Sequence, residues 1–143
     1  FPPTSDPASH MPKDAKLITT KALPAAAASN SHDGIDLGAR TSPNGVFPGS
    51  VELEISWPAL TALVDDKTVT FTVQDSADNS SFATLGLTHV LTGAGGAGVA
   101  AGTKKFRLPS TVRRYVNVLQ AVLTAGGDNT AKTITVSLVL GQA

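Results

Sequence analysis

Cysteine is missing from the 143-residue chain, and charged and aromatic residues make up only 15% and 5% of it. Without cysteine the protein cannot form disulfides, use a thiolate nucleophile or bind zinc through sulfur. The 11 basic and 11 acidic residues balance to a net charge of zero, and no run of lysine or arginine exceeds two residues. Since nucleic-acid-binding proteins need a basic surface, we expect no nucleic acid among the partners.

Long apolar runs are missing as well. A membrane-spanning helix needs about 20 consecutive apolar residues, and no stretch of this sequence approaches that length, so we expect no membrane contact. The hydrophobic fraction of 41% over 143 residues is enough for one sizeable core and not for two. The composition therefore predicts a single domain with an appendage.

Proline is concentrated at the start of the chain, where five of the nine prolines precede residue 25. A periodic apolar pattern is almost missing there, so we predict that residues 1–34 form an extended arm. Within this arm, Leu17 and Ile18 could begin a short strand against the body of the protein. The sequence Ser9-His10-Met11 fits a cloning scar or a natural start at the methionine.

From residue 35 onward, apolar and polar residues alternate in short segments separated by turn residues. In residues 69–85 the alternation runs into a polar turn and resumes after it, which is the pattern of a β-hairpin with one buried face. Residues 51–57 alternate similarly, and residues 115–124 are apolar on both faces, as in a central strand. About eight such strands predict an all-β fold over residues 35–143, an antiparallel β-sandwich of the jelly-roll type.

Two loops resemble ligand-binding motifs. Residues 93–98 match G-x-G-x-x-G, but no helix is expected after them and no acidic residue stands about 20 positions on, so we predict a flexible loop. Asp75, Asp78 and Asn79 could offer oxygen ligands to calcium, yet their spacing is not that of a calcium loop. We predict a solvated turn in which Asp75 or Asp78 accepts hydrogen bonds from nearby backbone amides.

The histidines and the larger aromatic residues also favour structural explanations. His10, His32 and His89 are too dispersed for a zinc site, and no nucleophile-elbow sequence accompanies them. His89 has an inward position in its strand, and Trp57 continues an apolar series, so its burial should contribute about 2–3 kcal/mol. Phe47 is the best candidate for an exposed aromatic residue. We predict no catalytic, metal-binding or cofactor-binding site and no enzymatic activity.

Several segments taken in order resemble a known family. They are Ile35-Asp-Leu-Gly38, the hairpin of residues 71–85, the Leu108-Pro109 corner, Arg114-Tyr-Val-Asn-Val118 and a terminal apolar strand. This order resembles the jelly-roll capsid cement (decoration) proteins of tailed bacteriophages over residues 15–140. The resemblance implies a non-enzymatic virion protein that lies on the outer surface of the capsid and cements neighbouring major capsid subunits. It also implies a homo-oligomer, dimer or trimer, whose partner is the phage major capsid protein.

Five residues are candidates for capsid contact. Leu17 and Ile18 begin the strand of the arm, and Phe47 lies in a loop. Arg113 and Arg114 cap the entry of a strand, bind an acidic partner surface or, as the default interpretation, form a solvated pair. Because the arm is expected to be ordered only on the capsid, its deletion through residue 22 is predicted to leave the domain folded and to weaken attachment.

An alternative function belongs to another class. The polar turn before Phe82 and the strand that begins at Tyr115 also resemble carbohydrate-binding jelly-roll modules, for example of a phage tail or fibre. A glycan site needs an exposed aromatic residue near paired polar groups, and only Phe47 or Tyr115 could provide it. A hydrolase is a third possibility, but no acid/base pair supports it.

Overall fold

A computed structural model describes residues 17–37, 51–109 and 111–140. These residues form two facing antiparallel β-sheets, without an α-helix in the described ranges, and hence without a helix that could cross a membrane. The strands are β1 (Ile18–Ala22), β2 (Ser29–Ser31), β3 (Ile35–Asp36), β4 (Val51–Trp57), β5 (Thr68–Ser76), β6 (Ala83–Thr92), β7 (Gly102–Arg107), β8 (Tyr115–Val122) and β9 (Thr133–Leu140).

The first sheet has the strand order β1-β9-β4-β7, and the second has the order β2-β8-β5-β6 with β3 also paired to β8. All pairs are antiparallel. Apart from the β2–β3 and β5–β6 connections, each connection crosses from one sheet to the other. The predicted antiparallel β-sandwich is confirmed, and the repeated crossing is compatible with the jelly-roll type.

The core fills the space between the sheets, as the alternation predicts. Val69, Phe71 and Val73 of β5 are fully buried, because every second side chain of the strand points towards the first sheet. Trp57 at the end of β4 is also buried. Its ring lies 6.0 Å from the Phe71 ring, and its Nε1 donates a hydrogen bond to the carbonyl of Ala100 at 3.0 Å. The interpretation of Trp57 as a core residue is confirmed.

The β5–β6 hairpin is confirmed, and it contains a bulge. Val73 pairs with Leu87, but Gln74 pairs with Thr84, so β6 has extra residues at this point. One of them is Gly86, whose φ of 80° is readily adopted only by glycine. The prediction that β8 is a central strand is also confirmed, since β8 pairs with β5 on one side and with β2 and β3 on the other.

Residues 17–34 do not belong to an extended arm, and this part of the prediction is wrong. Strand β1 pairs along its whole length with β9, and β2 pairs with β8. Leu17 and Leu23, which flank β1, are both buried in the core. The edges of β9 and β8 need hydrogen-bonding partners, and these two short strands provide them. Deletion through residue 22 would therefore remove an edge strand. Residues 1–16 lie outside the described residues.

The two ends of the sandwich have different connections. At the loop end, residues 23–28, 58–67, 93–101 and 123–132 link the sheets and bond to one another, as in the hydrogen bond from Leu60 N to Val99 O at 2.8 Å. The opposite end, called the hairpin end here, contains the β5–β6 turn and the segment that leads from β7 into β8. Strands β1 and β4 begin at the hairpin end, and β3 and β9 finish there.

The outer side of the second sheet is rich in threonine and lacks charge beside the loop end. The side chains there alternate with the buried ones of β5, β6 and β8, so they face away from the core. We call this surface the threonine face. It consists of Leu123, Thr68 and Thr92 in one row, Ser29, Ala121, Thr70 and Val90 in the next, and Ser31, Leu119, Thr72 and Thr88 in the third.

Candidate functional site

A buried aspartate holds the first of two adjacent arginines at the hairpin end. Asp75, near the end of β5, is 5% exposed. Its Oδ2 accepts a hydrogen bond from the backbone N–H of Arg113 at 2.9 Å. Its Oδ1 accepts from the Nε and Nη2 of that arginine at 3.1 and 2.8 Å. These bonds raise the pKa of Arg113. Asp75 is thus a strand residue that anchors the start of β8, and its prediction as a turn residue is wrong.

The second arginine forms an exposed pair. Arg114 Nε and Nη2 donate to the two carboxylate oxygens of Asp36 at 2.8 and 3.0 Å, and these bonds raise the pKa of Arg114. Its guanidinium carbon also lies 5.2 Å from the centre of the Tyr115 ring. About half of each charged side chain is exposed. The pair therefore presents a charged, partly ordered surface to solvent.

Asp78 organises the β5–β6 turn. Its Oδ1 accepts hydrogen bonds from the backbone N–H groups of Ser81 and Ser80 at 3.0 and 2.9 Å and from the Ser76 hydroxyl at 2.8 Å. These bonds, with that of Ser81 the strongest influence, lower the pKa of Asp78 to about 2. The solvated turn is confirmed for this residue. In the described part of the chain, no three histidine, aspartate or glutamate residues cluster as a metal site would require.

The candidates for capsid contact do not form one cluster. Leu17 is 6% exposed and belongs to the core, so its side chain cannot serve as a contact. Ile18 is half-buried in β1, and Phe47 lies outside the described residues. Arg113 and Arg114 do lie together, at the hairpin end. Their carboxylate partners come from strands far away in the sequence.

A polar network inside the sandwich was not predicted. His32 is 2% exposed, and its ring nitrogens lie 3.1 Å from Thr19 Oγ1 and 3.1 Å from Gln120 Oε1. Gln120 donates its Nε2 hydrogen to the carbonyl of Ala22 at 2.8 Å, so its Oε1 accepts. The hydrogen bonds then assign the proton of His32 to Nε2, and Nδ1 accepts from the threonine hydroxyl. The network ties β1 and β8 to the residue that follows β2.

Burial lowers the pKa of both described histidines. Desolvation lowers the pKa of His32 to about 4, and this effect outweighs its hydrogen bond with Gln120. His89 is half-buried and stacks on Trp57 with a ring distance of 5.3 Å, which confirms its inward position. Burial, followed by the charge of Lys104, lowers the pKa of His89. These contacts give both histidines structural roles.

The glycine-rich segment is a loop at the loop end, as predicted. It is followed by strand β7, whereas a dinucleotide fingerprint requires a helix there. The N–H of Gly96 donates a hydrogen bond to Asp65 Oδ1 at 2.9 Å. A carboxylate of the chain itself therefore occupies a backbone donor that a bound phosphate would use.

An open groove of about 320 Å³ lies on the threonine face beside the loop end. Its walls come from β2, β5, β8 and the adjoining connections of the loop end, and they carry small or apolar side chains: Ala27, Ala28, Ser29, Thr68, Thr70, Ala121, Val122, Leu123 and Thr124. None of them is aromatic or charged. Tyr115 lies at the other end of β8, against Arg114. This groove therefore does not provide the aromatic platform that the carbohydrate-binding alternative requires.

Comparison with protein families shows to which family the chain belongs. A family model described as Bbp16 matches residues 17–138. The chain belongs to the Bbp16 family. The match starts at Leu17, the first described residue, which is buried, and it reaches into β9, so the Bbp16 unit includes β1 and β2. No curated protein matches the chain.

Proposed function

We propose that this Bbp16 family member is a structural virion protein without enzymatic activity. It binds the outer surface of a phage icosahedral capsid, acts as a homo-oligomer and cements neighbouring major capsid subunits. The β-sandwich supports this proposal because it offers a rigid body of neutral net charge. The order of sequence segments that resembles capsid cement proteins lies within the part of the chain that forms the sandwich.

The observation that carries the proposal is the arrangement of the hairpin end. Strand β3 finishes there and β4 begins there, so residues 38–50 connect to the sandwich at this end. Residues 1–16 join β1 at the same end, and residues 141–143 follow β9 there. A cementing protein has to reach more than one capsid subunit. Among the described residues of this end, the pairs Arg113–Asp75 and Arg114–Asp36 offer two separate charged contacts.

The charged side chains at the hairpin end fit this role. Both arginines are held in place by aspartates and still expose about half of their side chains, so they can bind a second set of acceptors without a large loss of side-chain entropy. Several weak contacts made by one oligomer add up through avidity. Such binding requires shape and charge and no catalytic group.

A co-sedimentation experiment with purified, undecorated phage heads tests the proposal. We expect the full chain to sediment with the heads. A variant that lacks residues 1–16 should remain folded, because β1 is intact, and should bind at least tenfold more weakly. Arg114→Ala should also weaken binding, whereas the matched control Asp66→Asn, at the loop end, should bind like the wild type. Equal occupancy of the heads by all four proteins would overturn the assignment of the hairpin end.

A further inference from the structure

We infer that the free edge of β6 binds an extended segment of another protein as an added strand of the second sheet. The segment has apolar side chains at every second position and a carboxylate that pairs with Lys104 of β7. The inference goes beyond the proposed function and does not depend on it, because its tests use the purified chain without phage heads.

The first argument is the composition of the edge. Strand β6 lies at the end of the second sheet and has the sequence ATLGLTHVLT, without an acidic residue, lysine, arginine or proline. Free edges of soluble proteins usually carry such residues, which prevent the pairing of a further strand. The edge strand of the first sheet, β7, follows this rule with three basic residues in the sequence GTKKFR. Beyond the bulge of β6, residues 87–92 therefore form an unprotected template for an added strand.

The second argument is the direction of the backbone groups. Thr92 pairs with Thr68, but the Thr68 carbonyl accepts a hydrogen bond from the N–H of Leu123, on the other side of β5, at 2.9 Å. Thr92 therefore directs its own N–H and C=O away from β5. Since this direction alternates from residue to residue in an antiparallel pair, Val90 and Thr88 do the same. Within the described chain, β5 is the only strand that pairs with β6, so these groups are open to a further strand.

The third argument is that the sandwich is incompletely closed between β6 and β7. Leu87 and His89 point towards the first sheet, like Val73 and Phe71, with which they pair, but they are only partly buried. On the opposite side of the sandwich, Leu23 in the connection from β1 to β2 is 2% exposed. Apolar side chains of an added strand would cover the partly buried residues of β6 and complete the core at this side.

Lys104 determines the charge of the partner. It lies on the same side of β7 as Phe106, with its Nζ 5.5 Å from the centre of that ring. Burial and then the charge of Lys104 lower the pKa of His89, which places Lys104 beside β6. Within the described residues Lys104 forms no ion pair, whereas Lys105 lies opposite Glu54 on the outer side of the sheet. An aspartate or glutamate of the added strand would give Lys104 a charge-assisted hydrogen bond.

Nuclear magnetic resonance with a synthetic peptide tests the edge. The probe has eight residues in which threonine and valine alternate, with aspartate in place of one central valine. We expect it to bind the wild-type chain with a dissociation constant below about 1 mM and to protect the amide hydrogens of Thr88 and Val90 from exchange. The same peptide with all its amides N-methylated cannot form the ladder and should bind at least tenfold more weakly. Equal binding of both peptides, no binding, or protection of amides outside β6 alone would overturn the inference.

Two substitutions at one position test the backbone donor. Thr88→Pro removes an outward N–H and no hydrogen bond to β5, so this variant should fold and bind the aspartate peptide at least tenfold more weakly. The matched control Thr88→Val keeps the N–H and should bind like the wild type. Urea unfolding shows whether the proline variant is folded, and the N-methylated peptide tests the same bonds on the wild-type chain. Equal affinities of the two folded variants would contradict the inference.

A second pair of variants tests the role of Lys104. The wild type should prefer the aspartate peptide at least threefold over the same peptide with asparagine. Lys104→Gln should lose this preference, and the matched control Lys105→Gln, at the neighbouring position on the outer side, should retain it. A wild type without the preference would contradict the proposed charge of the partner. Protection of Thr88 and Val90 that grows with the concentration of the chain alone would assign the edge to a second copy and would also overturn the inference.

Discussion

His32 shows how a single polar residue joins the two sheets. It accepts a hydrogen bond from Thr19 of the first sheet and donates one to Gln120 of the second. The imidazole must be neutral to make both bonds, because a protonated ring has no acceptor. Burial provides this condition by lowering the pKa of His32 to about 4. The residue therefore links the stability of the fold to pH.

The pH dependence has a definite sign. Between pH 6.5 and about 4 the unfolded chain binds a proton at His32 and the folded chain does not. The contribution of His32 to stability is therefore fully present above pH 6.5 and should fall by about 3 kcal/mol as the pH approaches 4. We expect the free energy of unfolding of His32→Gln, measured in urea, to lose this dependence on pH. The control His89→Gln, at a half-buried position, should retain it. An NMR titration that places the pKa of His32 near 6.5 would contradict the account.

The two aspartate–arginine pairs should differ in their contributions to stability. Asp75 is buried and its carboxylate accepts three hydrogen bonds from Arg113, so Asp75→Asn should lower the free energy of unfolding by about 1–3 kcal/mol. Asp36 pairs with Arg114 in solvent, and Asp36→Asn should have little effect. Denaturant unfolding of both variants measures the difference. Equal losses would show that burial does not distinguish the pairs.

At the scale of the elements, the short strand β1 is a structural part of the sandwich. It covers the free edge of β9 with five paired residues, and the adjacent Leu17 fills the core. Its carbonyl groups also accept hydrogen bonds from Gln120. Strand β1 therefore connects the start of the described chain with both sheets.

Two truncations separate β1 from the segment before it. Removal of residues 1–16 should leave the unfolding midpoint nearly unchanged. Removal of residues 1–22 also removes Leu17, whose burial contributes about 1.5–3 kcal/mol, and the ladder of β1 with β9. Since domains of this size are stable by only about 5–15 kcal/mol, the longer deletion should lower the midpoint of urea unfolding markedly. Equal midpoints would mean that β1 adds nothing to the fold.

The elements differ in how well the sequence predicts them. Strands β4, β5 and β8 have seven to nine residues, and their apolar patterns are long enough to be recognised locally. Strands β1 and β2 have the sequences ITTKA and SNS, which carry little apolar pattern. They join the sheets because strand edges about 100 residues away in the sequence are open to them.

The contacts of the candidate site are equally hard to predict from local sequence. Arg113 and Asp75 are 38 residues apart, and His32 and Gln120 are 88 residues apart, so no local motif connects them.

At the scale of the whole molecule, the sandwich separates two surfaces. The charged hairpin end lies at one end of the strands, and the uncharged threonine face lies on the outer side of the second sheet beside the other end. The proposed capsid contact at the hairpin end therefore leaves the threonine face accessible. In the proposed homo-oligomer, several hairpin ends would multiply weak contacts through avidity.

The most direct test of the capsid role is electron cryo-microscopy of undecorated phage heads mixed with the purified chain. The account predicts ordered extra density at symmetry-related positions on the outer surface of the shell. The hairpin end of each sandwich should face the major capsid protein and contact more than one subunit. Heads that remain bare at a saturating concentration of the folded protein would contradict the proposed function.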